Sequence, residues 1–93
     1  MDNLINNPPP PPRGRSRIFR MPDGKIMYAS TFEELALKMR ESAFFPAKDL
    51  NEYMLDVAKR VFIMHGIQVC AWAPEPFIRD LIHFKIVTEI FHN

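Results

Sequence analysis

One cysteine, three glycines and three histidines among 93 residues exclude a good deal of chemistry. With Cys70 alone, no disulfide can form within the chain, which fits a reducing cytoplasm. Gly14, Gly24 and Gly66 are scattered, so no glycine-rich loop can cradle a phosphate. His65, His83 and His92 form no i,i+4 pair, and there is no Cys-x-x-Cys. Zinc needs three or four ligands, and only an arbitrary fold would assemble them from His65, His83, Cys70 and an acid. No metal or cofactor is expected. A nucleophilic Cys70 would need a lowered pKa and a nearby base. Burial as a small apolar side chain on a strand is the plainer expectation. The carboxylates fall on outer helix faces, where solvation accounts for them. Catalysis is therefore not expected. No apolar run approaches the length of a membrane span. The N-terminus lacks the basic start and apolar run of a signal peptide, so a cytoplasmic location is expected.

Charge is nearly balanced, at +1, but unevenly spread. Residues 1–20 carry Arg13, Arg15, Arg17 and Arg20 against Asp2, for +3, and the remainder carries −2. Five prolines, Pro8 to Pro12, lead into the first of those arginines. Proline fixes φ and lacks a donor, so the run favours an extended polyproline II rod. Residues 1–16 read as a disordered Pro/Arg arm. Pro8-x-x-Pro11-x-Arg13 matches the proline-rich ligand pattern bound by Src-homology-3 domains, where a preformed rod docks on aromatic grooves. A stiff spacer is the competing reading. The arginines also admit contact with nucleic-acid phosphates, with Phe19 or Tyr28 as a stacking face. Strand alternation, however, turns Phe19 and Met21 toward the core.

Residues 17–93 read as one α+β domain in the order β-β-α-α-β-α-β. Residues 17–21 and 25–29 form a hairpin around Pro22-Asp23-Gly24, where proline presets φ and glycine accepts a positive one. Ser30 with Glu33, or Thr31 with Glu34, forms a capping box that starts a helix. Phe32, Leu35, Ala36, Met39 and Ala43 share its inner face. Phe44-Phe45-Pro46 ends it. Asp49 caps a second helix. Its stripe of Leu50, Met54, Val57, Ala58, Val61 and Met64, flanked by Tyr53 and Phe62, predicts packing on more than one side. Ile63 falls on the otherwise polar face. Gly66 stops this helix.

Residues 67–72 are expected as a short strand. Pro74 and Pro76 open a third helix, inside whose first turn proline is tolerated. Its apolar periodicity fails after Phe84, and β-branched Ile86-Val87-Thr88 predicts a last strand over 85–91, with a longer helix as the alternative. Trp72 has two readings, a large side chain capping the core beside Phe77 or an exposed interface anchor, and average burial favours the core.

Such a chain is expected to work as a small adaptor or regulatory protein that binds another protein or itself, including as a homodimer. The candidate contacts are Pro8, Pro11, Arg13, Arg15 and Arg17 on or beside the arm, with Ile63 and Trp72 on the body. A nucleic-acid-binding accessory protein using the arginines is the alternative.

Overall fold

A computed structural model describes residues 16–43 and 47–91. The arm through Arg15, and Phe44-Phe45-Pro46 after the first helix, lie outside the described residues. The elements are β1 (Arg17–Arg20), β2 (Ile26–Ala29), α1 (Phe32–Glu41), α2 (Leu50–His65), α3 (Pro74–His83) and β3 (Thr88–Ile90). The class is α+β. The three strands form an antiparallel sheet in the order β2-β1-β3, so β1 is central. Ile18 faces Tyr28 on one side and Ile90 on the other.

The hairpin turn is set by its residues. The Gly24 N–H donates to the Met21 carbonyl at 2.8 Å, and Gly24 has φ 89°. The Lys25 N–H donates to Asp23 Oδ1 at 3.0 Å. Glycine closes this turn because the left-handed conformation penalises any Cβ.

Helices α1 and α2 start on side-chain caps. Thr31 Oγ1 accepts from the Glu34 N–H at 3.0 Å, and the Ser30 N–H donates back to Glu34 Oε1 at 2.7 Å. Of the two registers, the chain thus uses Thr31 with Glu34. That backbone N–H, together with Lys38, holds the Glu34 carboxyl below the ordinary range. Asp49 accepts from the Glu52 N–H at 2.8 Å, and Glu52 accepts in return from the Lys48 N–H at 2.9 Å. Helix α2 ends at Gly66, whose φ is 70°.

Phe19, Leu35, Ala36, Phe77, Ile78, Leu81 and Val87 are completely buried. They fill the space between one sheet face and the helices, with α1 packed against α3, β2 and α2.

Three expectations need correction. Residues 67–72 form no strand, so the observed order is β-β-α-α-α-β. The Cys70 N–H donates to the Asp80 carboxylate at 2.8 Å instead of to a ladder, and β3 takes the place beside β1. The last strand is shorter than expected, because residues 85–87 are used in ending α3. The Lys85 N–H donates to the Ile82 carbonyl at 3.0 Å and the Ile86 N–H to Leu81 at 2.9 Å. This is a Schellman motif with lysine, φ 65°, where glycine is usual. Lys85→Gly is expected to stabilise the fold by roughly 0.5–1 kcal/mol by relieving that conformation. A urea titration that shows no gain would refute this. Finally, α2 buries Tyr53, Met54 and Val61 but leaves Leu55, Phe62, Ile63 and Met64 exposed. Its wide stripe is covered on one side only among the described residues.

Candidate functional site

The outer face of α2 is built by helical periodicity. Leu55 and Phe62 are seven residues apart, two turns along one side. Ile63 lies next to them, and Lys59 sits between. Leu55 is 58% exposed, Phe62 57% and Ile63 72%. Beside this stripe, Leu55, Ala58 and Phe62 line a shallow groove with Val69 and Ala71 across from them. Glu52, Asp56, Lys59 and Gln68 complete its lining. The segment after α2 therefore runs back along the helix and walls the groove, with Val69 itself buried and Ala71 half-buried.

Trp72 follows Ala71 and is 76% exposed. It therefore does not cap the core beside the buried Phe77, as average burial had favoured. Pro74 fixes the first turn of α3, and the tryptophan stays in the connection ahead of it. Of the body residues read from sequence as contacts, Ile63 and Trp72 are thus both exposed. Leu55 and Phe62 escaped that reading. Leu55 sits among polar neighbours, and Phe62 was assigned to the flank of the buried stripe. The seven-residue spacing between them is the signal that would have found them.

Arg17 has other work. Its Nε donates to Glu89 Oε2 at 2.7 Å and its Nη2 to Glu89 Oε1 at 2.9 Å. The guanidinium lies 4.7 Å from the Phe32 ring centroid and 5.6 Å from that of Phe19. This bidentate, stacked arginine ties β1 to β3 across the sheet. The Glu89 hydrogen bond raises its pKa, so it stays a cation. Arg20 is exposed. Phe19 is fully buried and offers no stacking face, whereas Tyr28 is partly open to solvent. Pro8, Pro11, Arg13 and Arg15 lie outside the described residues.

A second cavity, of about 500 Å³, opens between the hairpin turn, α1, α2 and the end of α3. Met21, Met27, Met39 and Met64 line it, with Lys25 and Arg60 among the polar residues around it. Methionine is flexible and polarisable, so such a lining adapts to apolar groups of varied shape.

Cys70 is half-buried in the segment after α2, not on a strand. A hydrogen bond with the Asp80 carboxylate pushes its pKa up, burial and the carboxylate charge add to this, and Trp72 opposes it. The thiolate is scarce at neutral pH, the opposite of an activated nucleophile. Iodoacetamide is accordingly expected to modify Cys70 slowly at pH 7.5, and Asp80→Asn to speed the reaction several-fold. An unchanged rate would contradict this account. Among the described residues, no group of three His, Cys, Asp or Glu side chains is placed to hold a metal ion. No helix among them is long and apolar enough to cross a membrane.

Comparison with protein-family models, with curated proteins and with solved structures finds no match to this chain.

Proposed function

We propose that this chain is a small interaction protein, an adaptor or regulatory module that works by binding another protein rather than by catalysis. The exposed apolar face of α2 and the groove beside it carry this reading, and exposed Trp72 follows the groove residue Ala71 in the chain. Soluble monomers seldom leave contiguous apolar patches larger than a few hundred Å², and those that do generally use them. Tryptophan and phenylalanine are frequent anchors of protein interfaces, and Lys59 and Asp56 supply a polar rim. The Pro/Arg arm, with Pro8, Pro11, Arg13 and Arg15, supplies a second contact in this scheme. A single cysteine suits a reducing cytoplasm. Nucleic acid as the partner would draw on the arginine cluster, and the engagement of Arg17 with Glu89 weighs against that reading.

The test is affinity capture from host lysate, with nuclease treatment as a parallel arm. Full-length protein is compared with a chain starting at Ser16 and with a Phe62→Glu/Trp72→Ser variant. A nuclease-resistant partner lost with the double substitution supports the proposal. Loss on removing the arm would add the arm as a contact. Partners that vanish with nuclease would replace the proposal with the nucleic-acid reading. Capture indifferent to the double substitution would refute this face. Removing the arm is expected to leave the melting temperature nearly unchanged.

A further inference from the structure

We infer that the methionine-lined cavity binds a small amphipathic carboxylic acid, its apolar part among the methionines and its carboxylate held by Arg60 and the Tyr53 hydroxyl. The site is separate from the outer face of α2 and goes beyond the interaction reading above. Helical periodicity builds it. Tyr53, Val57, Arg60, Val61 and Met64 fall within a sector of roughly 100° on α2, opposite Leu55 and Phe62. All five line the cavity. Met21, Met39, Leu81 and Val87, all buried, line it from the hairpin, α1 and the end of α3. At about 500 Å³ it falls within the roughly 300–1,000 Å³ of small-molecule sites. Protein interiors are otherwise close-packed, so an apolar cleft of this size is room that the described side chains leave unfilled.

Two polar groups set the charge of the ligand. Tyr53 is only 8% exposed, yet among the described residues its hydroxyl makes no hydrogen bond. A donor on so buried a side chain is costly to leave unpaired, and Tyr53 lines the cavity. Burial raises the Tyr53 pKa and the charge of Arg60 opposes the rise, so the guanidinium acts on this hydroxyl. Among the described residues Arg60 forms no ion pair. Lys25 and Asp23, also in the lining, pair at 3.9 Å and offset each other. Arg60 is therefore the cation left to meet a ligand, and His65 adds a ring nitrogen to the lining. A guanidinium grips a carboxylate with two parallel hydrogen bonds. A doubly charged phosphate would ask for more cations than this lining offers.

The test is NMR of the full chain carrying methyl-labelled methionine, titrated with octanoate and, in parallel, with octanol. Octanoate at millimolar concentration or below is expected to shift the methyl signals of Met21, Met27, Met39 and Met64 saturably. The signal of Met54, which is outside the lining, should stay in place. Arg60→Gln, at an exposed position, should weaken octanoate about tenfold and leave octanol unchanged. Tyr53→Phe should weaken octanoate several-fold. Phe62→Glu/Trp72→Ser should bind octanoate as the wild type does, so that this site and the interaction face stand or fail separately. Absence of saturable shifts overturns the inference. Octanoate binding that Arg60→Gln leaves unchanged would reduce the cavity to an apolar crevice and overturn it as well.

Discussion

Phe19→Ala is expected to leave the chain largely unfolded at 37 °C. Phe19 is completely buried on the central strand. Its ring meets Phe32 edge-on at 6.2 Å between centroids, and the Arg17 guanidinium lies over it. Truncating a buried phenylalanine typically costs about 3–5 kcal/mol, from lost transfer energy and the cavity left behind. A body of this size holds stability near the low end of the usual range of roughly 5–15 kcal/mol. One substitution therefore removes most of what is there. Phe19→Leu fills more of the space and should retain a cooperative transition. Urea unfolding followed by circular dichroism measures both. A Phe19→Ala loss below about 1 kcal/mol would mean that this packing does not hold the sheet to the helices.

Phe62→Glu/Trp72→Ser should do the reverse, sparing the fold while removing the binding proposed for this face. Both side chains are more than half exposed, and surface substitutions usually change stability by no more than about 0.5 kcal/mol each. The melting temperature should accordingly shift by only a few degrees. Partner capture should fall at least tenfold, because large apolar anchors dominate interface energies. A charge placed at Phe62 would also have to be buried without a partner in the complex. The two substitutions thus separate the residues that hold the fold from those exposed on it, and Phe19 and Phe62 mark the two ends of that contrast.

Much of the fold is legible in the residues because local signals agree with the tertiary outcome. Pro22-Asp23-Gly24 gives the hairpin, Thr31 with Glu34 and Asp49 with Glu52 give two helix starts, and Gly66 gives a helix end. Where the reading failed, a tertiary partner outweighed local preference. Residues 67–72 have strand-like character, but Asp80, ten residues beyond Cys70, takes the Cys70 N–H. The end of α3 at Phe84 was readable from broken periodicity, while the Schellman turn behind it was hidden by lysine standing where glycine is usual.

The site was half legible. Ile63 stood out as an apolar residue among charges. Trp72 was ambiguous because tryptophan serves both cores and interfaces, and only its exposure in the folded chain decides between them. The width of the apolar stripe on α2 predicted packing on more than one side, but Phe62 and Met64 are left exposed among the described residues. Sequence periodicity cannot say whether the uncovered part meets another element of the same chain or another molecule. Arg17 shows the same limit, since its role depends on Glu89, 72 residues away.

Photo-crosslinking tests the central claim most directly. A benzoylphenylalanine at position 62 and one at position 79, an exposed position of α3, are introduced into the full chain and irradiated in host lysate. The account predicts a discrete, protease-sensitive protein adduct from position 62, competed away by excess unmodified protein, and none from position 79. Adducts of equal yield from both positions, or none from position 62, would contradict it.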